Sequence, residues 1–331
     1  MKSVTVFIML ILCTFIGYSQ KSGYVLTKTF KIAGGGGWDY IAEFNHRLYV
    51  SHATQVNVLD EYTGDSLGFI PGTTGVHGIA FIPSLGKGYI SCGRLNLITV
   101  FDLKTLAVLK QIPVGQNPDA IMYEPFSKKI ITCNGKSRDL SLVDPLSETV
   151  TATIPLAAKP ETAVSDEAGK IFVNLEDKNA ISVVDIVNYK VLDTWSLAPD
   201  EGPTGLVIDH NTKKLFAGCD KKLVVIDYTN GKATDRLPIG DGCDGVAFDP
   251  EYKYIFASCG EGVLSIAEED AKGRCTIIDN IKSKKSARTI INDPETHEVF
   301  LPAAEFGKEI PGQRPPVIPG TFQILVFSKA K

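Results

Sequence analysis

The chain has 331 residues, 44% of them hydrophobic and 22% charged, with 34 basic and 38 acidic side chains. This is the composition of an ordinary globular protein long enough to bury a sizeable core. Its net charge of −4 argues against nucleic acid as a main ligand, because phosphate binding leaves a basic footprint.

In chain order, the first element is a targeting segment. Lys2 supplies a positive start, residues 4–16 form an apolar run too short to span a bilayer, and Gly17 and Ser19 are small residues at the −3 and −1 positions of a signal peptidase site. A signal peptide over residues 1–19 is expected, with one mature domain over 20–331 and an exported, periplasmic or secreted, location. Leu12 is bulky where a lipobox before Cys13 wants a small residue, so a lipid anchor is not expected. No later apolar run approaches membrane length, and the mature chain, with 33 basic and 38 acidic residues, is expected to be a soluble monomer.

Residues 24–32 (YVLTKTFKI) read as a strand, followed by a glycine run at 34–37 that precedes another strand rather than a helix and reads as a bend. From there one string recurs. It is Tyr49-Val50-Ser51-His52, Tyr89-Ile90-Ser91-Cys92, Ile131-Thr132-Cys133-Asn134, Phe172-Val173-Asn174-Leu175, Phe216-Ala217-Gly218-Cys219, Phe256-Ala257-Ser258-Cys259 and Phe300-Leu301-Pro302-Ala303, with starts 40, 42, 41, 44, 40 and 44 residues apart. A second string, an alternating apolar strand closing on Asp60, Asp102, Asp144, Asp185 and Asp227, keeps nearly the same period. Each repeat holds about four short β-rich runs between Gly, Pro, Asn and Asp turns, as at 162–166, 171–174, 180–185 and 191–196. That is the signature of a propeller blade, so the predicted fold is all-β, a seven-bladed β-propeller of four-stranded blades. The last repeat supplies only three strands, near 288–292, 298–301 and 322–327, and residues 24–32 are expected to complete it and lock the ring.

The pattern resembles the YVTN-repeat propellers, the YncE-like exported proteins, over the whole mature chain. The strings IFVNLEDKNAISVVD at 171–185, IPVGQNPDAIMYEP at 112–125 and RPPVIPGTFQILV at 314–326 carry the resemblance. It implies the fold and little about activity, since that family includes a member described as binding single-stranded DNA and is otherwise largely uncharacterised.

Aligning the repeats puts Trp38, Asp39, His77, Asp119, Glu161, Thr204, Asp244 and Arg288 around one mouth of the central channel. Neighbouring loops add His52, Arg94, Lys136, Glu176 and Glu305, together with Asp177, Asp220 and Glu261. The strand-closing aspartates repeat one residue type and read as turn caps, whereas the mouth position changes type from blade to blade. It is the candidate site for a small molecule or protein partner, with acids that could hold a cation or orient a polar ligand. No spaced metal-ligand motif is present, so no cofactor is predicted and a divalent cation is the weaker alternative. No G-x-S-x-G elbow or triad spacing occurs. A binding scaffold is therefore expected ahead of a lactonase-like hydrolase or oxidoreductase using the mouth acids, His77 and Arg288, and ahead of single-stranded DNA binding.

Cys92, Cys219 and Cys259 share one repeat position and Cys133 lies one residue earlier, on the other side of its strand; they read as small core residues. A Cys219–Cys243 or Cys243–Cys259 disulfide is the alternative. The proline-rich insertion at 305–320 is expected on the mouth face as a lid or partner-binding arm.

Overall fold

A computed structural model describes residues 22–308 and 315–330; the expected signal peptide lies outside them. Among the described residues the chain forms seven antiparallel four-stranded sheets. The helices among the described residues are three single 3-10 turns, at Pro83–Leu85, Gly93–Leu95 and Glu176–Lys178. Six of the blades are built from four strands consecutive in sequence. Blade four, for example, is Pro160–Ser165, Lys170–Leu175, Ala180–Asp185 and Lys190–Ser196. The protein is a seven-bladed all-β propeller.

Blade seven is the exception that closes the ring. It takes Ile291–Asn292, Val299–Ala303 and Gln323–Lys329 from the end of the chain and Tyr24–Lys31 from its beginning. The N-terminal strand runs antiparallel to Gln323–Lys329 from Tyr24 opposite Lys329 to Lys31 opposite Gln323. Those ladder bonds tie the two chain ends together and cover the edge of Gln323–Lys329.

The repeated string at the second strand explains the core. Its leading residue is a fully buried aromatic in six blades (Tyr49, Tyr89, Phe172, Phe216, Phe256 and Phe300) and Ile131 in the other. These side chains fill the spaces between neighbouring blades, so the core is split into layers rather than gathered in one centre. The outermost strands are largely exposed, as the alternation in Lys232–Pro238 shows.

The strand-closing aspartates act as turn caps. Asp60 Oδ1 accepts from the backbone N–H groups of Tyr62 and Thr63 at 3.0 and 2.9 Å, Asp102 repeats this with Lys104 and Thr105, and Asp185 with Val187 and Asn188. All six described cysteines are buried free thiols, Cys133 included.

Candidate functional site at the channel mouth

The third residue of the second-strand string fixes the mouth residues in place. Ser51 Oγ donates to the carbonyl of His77 in the next blade, Ser91 Oγ to that of Asp119, Asn174 Nδ2 to that of Thr204 at 3.0 Å, and Ser258 Oγ to that of Arg288 at 2.5 Å. Thr289 Oγ1 carries the pattern across the closure by donating to Asp39 O at 2.6 Å. On four of the seven second strands a polar residue therefore holds the backbone of the next blade's mouth residue; Cys133, Gly218 and Pro302 occupy that position in the other three.

The mouth side chains line a polar cavity of about 680 Å³. Trp38, Asp39, His77, Asp119, Glu161, Asp244 and Arg288 form its wall, joined by Arg94 and Glu176 from the loops. Thr204 holds the equivalent place in blade five, but its hydroxyl donates to Cys243 O at 2.7 Å instead of lining the cavity. His52 does not reach the rim. Strand alternation puts it on the same side as Val50, where it is 3% exposed and its ring lies 4.5 Å from that of Phe322. Lys136 is exposed in its loop and Glu305 pairs with Lys284 at 2.8 Å, both outside the cavity wall. Of the other loop acids, Asp177 pairs with Arg138 at 3.0 Å. The described part of the proline-rich insertion does approach this face: Phe306 pairs with Val317 and stacks on Trp38, ring centroids 5.7 Å apart.

Two residues that the repeat alignment did not single out complete the wall. Lys159 sits two positions before Glu161, in a column that elsewhere reads Gly37, Gly75, Asn117, Gly202, Gly242 and Ser286. A lysine in that mostly small column was a legible departure. It pairs with Glu161 and, at 2.5 Å, with Glu176. Tyr40 follows Asp39 on the innermost strand of blade one and also lines the cavity.

The charges form two paired groups and one remainder. His77 Nδ1 meets Asp39 Oδ2 at 2.5 Å, while Arg288 reaches Asp39 at 3.5 Å and also pairs with Asp244. Lys159 holds Glu161 and Glu176. Asp119 is left over. Its Oδ1 is buried without a hydrogen-bond partner, and the nearest cationic atom, His77 Nδ1 at 3.6 Å, is already engaged by Asp39. Trp38 Nε1 is likewise buried without an acceptor. The ligand atoms of Asp39, His77 and Asp119 all lie within 4.8 Å of one another, a spacing that could accept a cation.

The titration of these groups follows from their burial. Burial, assisted by the charge of Asp39, lifts Asp119 to about 6 against the pull of His77, Lys159 and Arg288. Burial and the charge of Asp119 lift Glu161 to about 8, although Lys159 opposes this. For His77 burial works downward, but the Asp39 hydrogen bond and the charges of Asp119, Asp39 and Glu161 outweigh it and raise the imidazole above its ordinary value.

The far end of the channel differs in kind. A cavity of about 510 Å³ there is walled mainly by apolar groups such as Val164, Val207, Ile208, Val246 and Phe248. The channel thus has one polar mouth and one apolar mouth.

No protein-family model matches the chain. It is 24% identical over 187 residues to antigen Lp49 of Leptospira interrogans, a match spanning 54% of this chain and 41% of that protein. Among solved structures it resembles a chain of Kuenenia stuttgartiensis hydrazine synthase with a TM-score of 0.72 at 15% identity, over 84% of this chain and 94% of that one. At that identity the likeness concerns the fold alone. No helix among the described residues is long and apolar enough to cross a membrane.

Proposed function

We propose that this protein is an exported binding propeller of the YVTN-repeat kind that holds a small polar ligand, or the polar tip of a protein partner, in the cavity at the channel mouth. The observation that carries this reading is Asp119. Its carboxylate oxygen is buried in the wall of a solvent-reachable cavity with no donor, in a ring whose other acids each pair with a cation at 3.5 Å or less. An unmatched buried acceptor is costly, by roughly 1–3 kcal/mol, and a ligand that brings a donor or positive charge removes that cost. The unsatisfied Trp38 Nε1 in the same wall asks for an acceptor, so the ligand is expected to present both, as amino sugars, polyols and sugar acids chelated to a cation do.

The test is a thermal-shift screen with those classes and with divalent cations, followed by titration of any hit. Stabilisation of the wild-type chain that Asp119→Asn abolishes is the expected result. Absence of any shift, or a hit that binds Asp119→Asn unchanged, would sink the reading.

A second reading is catalytic and rests on the His77–Asp39 pair. A carboxylate 2.5 Å from Nδ1 orients an imidazole as in a general base. Lactone and ester hydrolysis that disappears in His77→Gln while ligand binding persists would favour it.

A further inference from the structure

The face opposite the mouth carries an acid cluster at the seam between blades seven and one, and an equivalent seam elsewhere in the ring shows what is unusual about it. Where blades five and six meet, the buried Asp209 accepts from Lys253 Nζ at 3.2 Å and the buried Glu269 from Lys214 Nζ at 2.7 Å. Each acid has its own ammonium, and Thr212 Oγ1 lies between them, 3.0 Å from Asp209 Oδ2 and 3.2 Å from Glu269 Oε2.

The corresponding positions at the closing seam follow from the buried aromatics and the strand register. Asp209, Thr212 and Lys214 precede Phe216 as Asp293, Thr296 and Glu298 precede Phe300, and Lys253 precedes Phe256 as His46 precedes Tyr49. Glu269 donates its backbone N–H to Lys253 O at 3.0 Å, as Glu61 does to His46 O at 3.1 Å. Asp293 and Glu61 are as buried as their counterparts, and Thr296 still donates to Asp293 at 2.6 Å. Both lysines are gone, however. One has become His46 and the other Glu298, which is itself held by Lys28 at 3.0 Å. Glu43 adds another acid where blade six has Pro250.

Among the described residues no lysine or arginine forms an ion pair with Glu43, Glu61 or Asp293. Glu61 is fully buried, its carboxyl is within hydrogen-bond reach of Asp293, and its Oε1 meets no protein donor apart from that acid. Such a group requires a cation or a proton in place of the missing lysines. The geometry favours a cation: one ligand atom from each of Glu43, His46 and Glu61 lies within 4.8 Å of the others. His46 Nδ1 stands 3.2 Å from Glu61 Oε2 and 2.9 Å from Tyr62 Oη, a contact that an ion bound at Nδ1 would displace. Ligand atoms bonded at about 2.0–2.1 Å in a tetrahedron are roughly 3.3 Å apart. His46 is partly exposed and Glu295 beside it mostly so, which leaves a route in from solvent.

We propose that this seam is a divalent metal site, with Glu43, His46 and Glu61 as ligands and a first-row ion such as Zn(II) as occupant. An imidazole among carboxylates suits such an ion and not calcium, which takes oxygen ligands. The ion does at the ring closure what Lys214 and Lys253 do between blades five and six, neutralising buried acids where the two ends of the chain meet.

Equilibrium dialysis of the chelator-stripped full chain against Zn(II) tests this, with circular dichroism confirming that each variant is folded. One zinc ion per chain is expected, retained in Asp119→Asn, which alters the cluster at the mouth, and lost in Glu61→Gln and His46→Ala. Glu298→Lys, which restores the lysine of the other seam, is expected to fold, to lose the zinc and to lose zinc-dependent thermal stabilisation; it decides the matter should Glu61→Gln fail to fold. No zinc in the wild-type chain, zinc that persists in these seam variants, or zinc lost only in Asp119→Asn would overturn the proposal.

Discussion

Asp119 and Glu161 show how a single position acquires its chemistry from its surroundings. Exposed, each would ionise in the ordinary carboxylate range. In the wall of the channel they titrate at about 6 and about 8, burial being the main cause. Because the folded-state values lie above the unfolded ones, the folded chain holds more protons than the unfolded chain between about pH 4 and 8. The contribution of these groups to stability is therefore complete at acid pH and is lost as pH rises through their folded values, with a slope of up to about 1.4 kcal/mol per pH unit for each proton. Asp119→Asn and Glu161→Gln should each flatten that slope in urea melts taken across the range. Slopes identical to wild type would show that the two carboxyls are better solvated than the cavity implies. Ligand binding through ionised Asp119 should strengthen as pH rises through about 6, the opposite direction to the stability trend.

At the scale of the element, the strand Tyr24–Lys31 matters most. It contributes few buried side chains, chiefly Tyr24 and Phe30, yet it supplies the outer ladder of blade seven and covers the edge of Gln323–Lys329. Tyr24 packs edge-on against Phe256 of blade six with centroids 5.1 Å apart, and its hydroxyl donates to His297 O at 2.8 Å. Beginning the chain after Lys31 should therefore lower the melting temperature by well over the few degrees expected of one surface substitution, and should promote association through the bared edge. Size-exclusion chromatography and a thermal melt would check this; a monomer with an unchanged melt would mean that the ring closes without the strand. The innermost strand of blade seven, Ile291–Asn292, is shorter than the expected 288–292, and Arg288 and Thr289 before it contact Asp39.

For the molecule as a whole, charge and polarity are unevenly placed. The mouth cavity holds five acids, Asp39, Asp119, Glu161, Glu176 and Asp244, against Arg94, Lys159 and Arg288. With an overall negative charge this gives a phosphate backbone no continuous basic track. Titration with fluorescent single-stranded DNA at low ionic strength should show no binding. Salt-sensitive binding there would point to a basic strip outside the cavity and revive the nucleic-acid reading.

The number of blades, the closing role of residues 24–32, the capping aspartates and the gathering of the varied residues at one end of the channel were all legible in the sequence. The reason is that each depends on periodicity: a forty-residue beat reports a blade, and strand alternation reports which side chains look inward. The seven varied positions from Asp39 to Arg288 could be aligned for the same reason. What periodicity could not supply was which neighbours meet. That His52 turns into the core against Phe322, that Lys159 pairs with both Glu161 and Glu176, and that Asp119 is left without a partner depend on side-chain contacts in the folded ring. The acid cluster at the closing seam is hidden more deeply, since Glu61 and Asp293 are 232 positions apart and become neighbours only when the ring shuts. The sequence by itself determined the ring, because repetition is a local property of the chain; only the tertiary structure decided which charges are compensated, because burial and pairing are properties of the closed ring.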